Sequence, residues 1–253
     1  MTTPASLPDV AAYLVHWNAP GWCAESVGSL RLQEGVSVTV AVVNNGGALT
    51  LPDDVEVIES GGNVGYTGGA NVGLERGLGT QAPFLLVGCH DVRLAPDGLR
   101  AMVDQMRNDP SLGITGPVLD GAGGTESRLE WISGTALLIR REVALQVRFD
   151  ERWGSYVEDV DYCYRVRDLG WHIGRCGTAH ATTRGSVDSA AAMHLMHSNT
   201  LVFFVRRRLW RQAATRFHLL VRERRWRTLG RGLHRLVTFK SQQQGAHAKV
   251  AKC

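Results

Sequence analysis

At 253 residues, 44% hydrophobic and 21% charged, with seven tryptophans, the chain has material for one large α/β domain or two small ones and is not a disordered sequence. No run of about 18 apolar residues exists to form a spanning helix, and MTTPASLPDV lacks the basic-then-apolar build of a leader, so the expectation is a cytoplasmic protein. The net charge of +4 hides an asymmetry: eleven arginines and Lys240 against the single acid Glu223 give residues 203–240 a charge of +11, leaving −7 on the rest.

Short apolar runs predict strands at 12–16, 38–43, 55–59, 84–87 and 114–118. Between the first two, Cys23, Val27, Leu30 and Leu32 leave room for a helix over about 21–32. Further helices are predicted over 70–78 and 97–108, the latter started by Pro96 and Asp97. The alternation is that of a mostly parallel sheet covered on both faces. Residues 120–128, rich in glycine and polar groups, read as a loop long enough to move, and 131–139 as a strand that runs into a basic turn. Over 157–169, Val160, Cys163, Tyr164 and Val166 fall at helical spacing, with Gly170 as the stop. From Ala190 the pattern is helical and long, and the tail SQQQGAHAKVAKC reads as frayed.

Residues 61–73, GGNVGYTGGANVG, follow a strand and open a helix, where bare N–H groups attract phosphate. Neither a P-loop nor a dinucleotide fingerprint fits, and close backbone packing explains such glycines equally well. Around this stretch stand VVNNGG at 42–47, FLLVGCHDVRLAPDGL at 84–99, WISGTALLIRR at 131–141 and FDERWGSYVEDVDYCYRVRDLGW at 149–171. In that order the five blocks resemble glycosyltransferase family 2, in the branch of rhamnosyl- and related transferases, over about residues 14–186 and weakly into 197–208. The resemblance implies a GT-A type single domain with a mostly parallel central sheet flanked by helices and a basic helical C-terminal extension. It implies inverting transfer of a hexose, or a deoxyhexose such as rhamnose, from a nucleoside diphosphate sugar to a hydroxyl acceptor. The expected division is a nucleotide-sugar-binding catalytic domain over 1–200, a basic amphipathic extension over 201–240 and a flexible tail over 241–253.

The chemistry explains each block. A departing diphosphate needs its charge neutralised, usually by a divalent cation, Mn²⁺ or Mg²⁺, on carboxylate oxygens. The resemblance gives that acid as Asp91, but Cys89 stands where the family has Asn or Asp, and His90 where it has Pro. Cys89 is a poor ligand for a hard ion, so the metal site rests on Asp91 alone or is weak. The histidine that many members carry beyond the GW pair falls at about Thr183, with His180 the candidate metal ligand by a register shift. A base must also take the acceptor's proton, and the family's base is Asp159, beside Glu158 and near Asp161 at the start of a helix. Like-charge repulsion raises such carboxyls, whereas the helix N-terminus lowers them. An acidic first turn is equally ordinary in a helix without catalytic duty. By position, His16, Trp17, Asn18, Asn44 and Asn45 would meet the nucleotide, dTDP, UDP or GDP. Asn63, Gly65, Gly69 and Asn71 would lie near ribose and diphosphate, and Trp131 and Gly134 at the sugar and acceptor. Asn44 replaces the family's Asp, and its amide oxygen can still accept a pyrimidine N–H.

The arginines of 203–240 are interleaved with Trp210, Phe217, Trp226 and Leu233, as in an amphipathic helix that lies on an anionic membrane. A lipid-linked acceptor would suit such an arm. Packing of its apolar face on the protein, an acidic subunit or a second copy of the chain are the other readings, and nothing in the sequence resembles a nucleic-acid module. The five cysteines, Cys23, Cys89, Cys163, Cys176 and Cys253, are odd in number and form no CxxC pair, which argues against a disulfide framework or zinc knuckle. Two other functions stay open: a nucleotidyltransferase, which should carry a Lys-bearing phosphate loop near its N-terminus, where 14–31 has no Lys, and a catalytically impaired sugar-nucleotide-binding protein.

Overall fold

The computed structural model describes residues 7–120, 131–184 and 190–241. The loop expected at 120–128 and the frayed tail fall largely or wholly outside these residues. The described chain divides into two compact units, 1–154 with 158–185, and 155–157 with 186–253.

The first unit is built on an eight-stranded sheet. Its strands are β1 (Val10–His16), β2 (Val38–Asn44), β3 (Glu56–Glu59), β4 (Phe84–Cys89), β5 (Arg93–Leu94), β6 (Leu112–Asp120), β7 (Ala136–Arg140) and β8 (His172–Thr182), in the order β3-β2-β1-β4-β7-β6-β8-β5. β3, β2, β1 and β4 run parallel, which brings their carboxyl ends to one edge. β7 enters antiparallel between β4 and β6, and β6 pairs parallel with β8.

Strand alternation feeds two cores. Val10, Ala12 and Leu14 of β1 join Phe84 and Leu86 of β4 on one face, under α1 (Pro20–Arg31) and α3 (Gly98–Asn108) through Val27, Leu30, Met102 and Met106. Ala11, Tyr13 and Val15 join Leu85 and Val87 on the other, under α2 (Gly65–Leu78), α4 (Arg141–Gln146) and α5 (Glu158–Asp168) through Leu74, Val143, Tyr162 and Val166. Near-continuous apolar strands are what burial on both faces requires. α2 begins at Gly65, five residues earlier than the apolar pattern predicts, because its first turn is glycine and polar residues. The pair Arg140–Arg141 closes helix ends: Arg140 donates to the carbonyls of Met106, Asp109 and Leu112 after α3, and Arg141 to those of Gly77, Leu78 and Ala82 after α2.

The second unit holds α6 (Ala190–Arg206), α7 (Trp210–Arg222) and α8 (Trp226–Ser241), with Leu201, Leu220 and Leu229 as a small core. The Asn199 amide donates to the carbonyls of Ser155 and Tyr156, both at 3.0 Å, which is why that short segment groups with these helices. No described helix is long and apolar enough to cross a membrane.

Candidate active site at the strand ends

Parallel strands leave a crevice beyond their carboxyl ends where ligands bind, and His16 and Asn44 end β1 and β2 there, with Asn45 and Asp91 just beyond the ends of β2 and β4. His16 ends β1 fully buried, and burial, then His90, pushes its imidazole down to about 4. Both its ring nitrogens, like Oδ1 of Asn45, are buried with no hydrogen-bond partner among the described residues. Trp17 is half exposed, beside Gly46, and Asn18 donates its backbone N–H to the Gly46 carbonyl. Asn44 holds Glu59 through its amide nitrogen at 3.0 and 3.2 Å, and its oxygen accepts the Gly46 N–H at 3.0 Å. Asn45 donates to the Gly65 carbonyl at 2.9 Å, tying the β2 end to the glycine stretch.

Within that stretch the predicted residues do different things. Gly65 sits at φ +73°, and a Cβ there would lie 3.0 Å from the Gly154 oxygen, so only glycine starts α2 in this way. A Cβ on Gly69 would meet Val15 at 2.6 Å and Asn45 at 3.2 Å, so this glycine lets α2 rest on the end of β1. The side chain of Asn63 accepts the Gly65 N–H at 3.0 Å. Asn71 uses its amide on the backbone of Phe149 and on Glu151, which fastens the FDE loop to α2.

At the end of β4, Asp91 accepts the Thr183 hydroxyl on Oδ2 at 2.7 Å. The slot where the resemblance calls for histidine thus does reach the acid, through a threonine. His180 lies exposed three residues back on β8, its carbonyl held by the Ala95 N–H. Among the described residues no three His, Cys, Asp or Glu groups come together to hold a metal. Cys89 is soft, and burial together with Asp91, Glu158 and Asp159 pushes its thiol well up. The donor set therefore fits an ion held chiefly by phosphate oxygens and water, with Asp91 as its single protein anchor.

Three aromatic rings and a guanidinium extend from this point. His90 stands edge-on to His16 at 5.3 Å, Trp22 stacks on His90 at 6.3 Å, and the Arg184 guanidinium lies 5.1 Å over Trp22. Ser26 fixes the His90 backbone by donating to its carbonyl at 2.7 Å.

Glu158 and Asp159 open α5, Glu158 buried and Asp159 partly buried. Asp159 accepts the Gly134 N–H on Oδ2 at 2.9 Å and the Val160 N–H on Oδ1 at 2.8 Å. Burial raises its carboxyl, and these N–H groups pull it back. Glu158 is pushed much higher, by burial and by the charge of Asp159, and its Oε2 is buried without a partner among the described residues. Gly134 organises this corner: its carbonyl accepts the Tyr66 hydroxyl and, weakly, the Cys89 thiol. Trp131 packs partly buried against the second core. Like Asp91, Glu158 and Asp159 raise the Cys89 thiol, so the three acids share one electrostatic neighbourhood.

No family model matches the chain. An N-acetylglucosaminyl-diphospho-decaprenol L-rhamnosyltransferase of Mycobacterium tuberculosis is 27% identical, over 77% of this chain and 87% of that protein. The low-salt glycan biosynthesis hexosyltransferase Agl10 of Haloferax volcanii is 26% identical over 54% of each. Among solved structures, the mannosyltransferase of Pyrobaculum calidifontis in complex with GDP-Man and Mn²⁺ superposes with a TM-score of 0.61 at 15% identity, covering 87% of this chain and 66% of that one. GalNAc-T7 with UDP, GalNAc and Mn²⁺ gives 0.60 at 12% identity, over 78% and 49%. Two sequence relatives and the shared GT-A fold agree. The chain is a glycosyltransferase, similar to family 2 in its rhamnosyltransferase-like branch. It spans most of the rhamnosyltransferase but about two thirds or less of the hexosyltransferase and of the two solved structures.

Sequence reasoning missed Trp22, Tyr66 and Arg184 in this glycosyltransferase. Tyr66 stands inside the 61–73 block, where the glycines and asparagines drew the attention, and Trp22 and Arg184 lie outside the five blocks, so only the fold shows what they touch. A cavity of about 570 Å³ between Arg31, Asp54, Glu56, Arg76 and Thr80 lies toward the amino ends of β1 and β2 and includes none of the motif residues.

Proposed function

We propose that this glycosyltransferase moves a hexose, or a deoxyhexose such as rhamnose, from a nucleoside diphosphate to a hydroxyl acceptor with inversion. The observation that carries the reading is the Glu158–Asp159 pair beside Asp91, at the carboxyl ends of the parallel strands. Two adjacent carboxyls, one buried and one partly so, do not readily ionise together. Glu158 keeps its proton, while Asp159, supported by two backbone N–H groups, carries the charge and accepts the acceptor's proton. The nucleotide lies against the ends of β1 and β2, where His16 and Asn45 hold unsatisfied polar atoms. Asp91 is the anchor for a divalent cation, which when bound neutralises charge on the leaving diphosphate.

The rhamnosyltransferase relative's name describes a lipid-linked acceptor, and a lipid-linked acceptor suits the basic α7 and α8, which we infer to lie on an anionic membrane. For the base, Asp159→Asn should lower kcat by roughly 10² to 10⁴-fold and leave donor affinity near wild type. Near-normal turnover in that variant would remove Asp159 from the role.

A further inference from the structure

Resting on the donor-site reading above, we propose that Arg184 is a diphosphate-binding residue, supplying from the protein itself a positive charge that metal-centred sites take from their ion. Three observations carry it.

The first is the thinness of the metal anchor. Asp91 is a single carboxylate with one oxygen already accepting the Thr183 hydroxyl at 2.7 Å, and no other group of metal-ligating side chains gathers there among the described residues. A dianionic leaving group beside one carboxylate is under-neutralised unless another cation faces it.

The second is position. Arg184 follows directly on Thr183, so it emerges where β8 reaches the acid at the end of β4. Its guanidinium is stacked 5.1 Å over Trp22, and Trp22 stacks on His90, which is edge-on to the unsatisfied imidazole of His16. The stack holds a planar fork of donors beside these rings, and a fork of this shape matches two phosphate oxygens at once.

The third is availability. The acid near Arg184, Glu25, lies at 3.4 Å and is itself paired with Arg93 at 3.1 Å. All three side chains are more than 40% exposed, so the Glu25 contact is weak and exchange for a phosphate oxygen costs little. Arg93 meanwhile offsets the charge of Glu25 beside the incoming anion.

The test is calorimetric titration of the full chain with UDP, dTDP and GDP, in EDTA and in Mn²⁺, for wild type, Arg184→Ala and Arg184→Lys. Wild type should bind at least one of the three in EDTA within about tenfold of its affinity in Mn²⁺. Arg184→Ala should lose about tenfold or more in EDTA, and Arg184→Lys, which keeps charge without the fork, should lie between. The matching nucleoside monophosphate should lose less than about threefold with Arg184→Ala, since the contact is to the diphosphate. Wild-type affinity in Arg184→Ala, or wild-type binding that vanishes in EDTA, overturns this inference and leaves the donor site standing. Failure of wild type to bind any of the three in either condition overturns the donor-site reading, and the role of Arg184 with it.

Discussion

Glu158 and Asp159 are neighbours in sequence, yet the backbone treats them unequally: Asp159 receives N–H groups from Gly134 and Val160, whereas Oε2 of Glu158 receives none. The raised carboxyl of Glu158 means that the native state binds a proton the unfolded chain has released above its ordinary value of about 4.3. Native stability must then fall as pH rises from about 4.3 toward the raised value. Glu158→Gln, which keeps shape but has no proton to lose, should match wild-type melting near pH 4 and exceed it at pH 8; a parallel pH dependence for both proteins would contradict this. How much the sequence reveals at this scale depends on what a residue does. Asp91, Glu158 and Asp159 are carboxyls in spaced blocks and could be named from them. Asn71 and Gly69 stand in the same kind of block, yet the amide of one fastens the FDE loop and the missing side chain of the other makes room for Val15. A motif letter does not distinguish contact with a ligand from support of the residue that makes it.

The helices and strands repeat that division. α1, α3 and α5 begin and end within a residue or two of their expected positions, since Pro20, Pro96 and Gly170 mark the boundaries chemically. The breaks between α6, α7 and α8 carry no such mark. Arg208 and Arg224 adopt φ +57° and +54°, a conformation that glycine usually signals, and Leu209 and Arg225 donate five residues back to close each helix. β8 alternates buried Cys176, Ala179 and Ala181 with exposed neighbours, too small a set of side chains to announce a strand. The two arginines after WISGTALLI read as a basic turn, and the structure gives them a purpose: each donates to three carbonyls at, or a few residues beyond, the end of a different helix. Arg140→Met should therefore cost about 2 kcal/mol or more, from carbonyls left unpaired, and Arg141→Met a similar amount. Urea denaturation checks both, and changes under about 0.5 kcal/mol would mean that water replaces the guanidinium without loss.

For the molecule as a whole, the basic segment becomes two strongly amphipathic helices in one small unit. Trp210 and Phe217 on α7, and Trp226, Leu233 and Val237 on α8, recur at spacings of seven and four and stay exposed, so each helix keeps an uncovered apolar stripe edged with arginine. If these stripes enter an anionic bilayer, each nearby arginine adds about 1 kcal/mol. The full chain should co-sediment with anionic vesicles, and not neutral ones, at low salt. Release should come as salt shortens the screening length below about 10 Å, and Trp210→Glu with Trp226→Glu should abolish binding. Equal, negligible binding to both vesicle types would reassign the stripes to a protein contact. The sheet order, meanwhile, has a temporal side. β4 must wait for β7, which lies about 50 residues further along the chain, to cover its free edge. At about 5–20 residues per second on the ribosome, that is several seconds in which Phe84–Cys89 offers an apolar strand with open hydrogen-bonding groups. Slowing translation between β4 and β7 should increase the fraction of chains lost to aggregation, whereas the same pause after Thr182, once β8 has covered the open edge of β6, should be harmless.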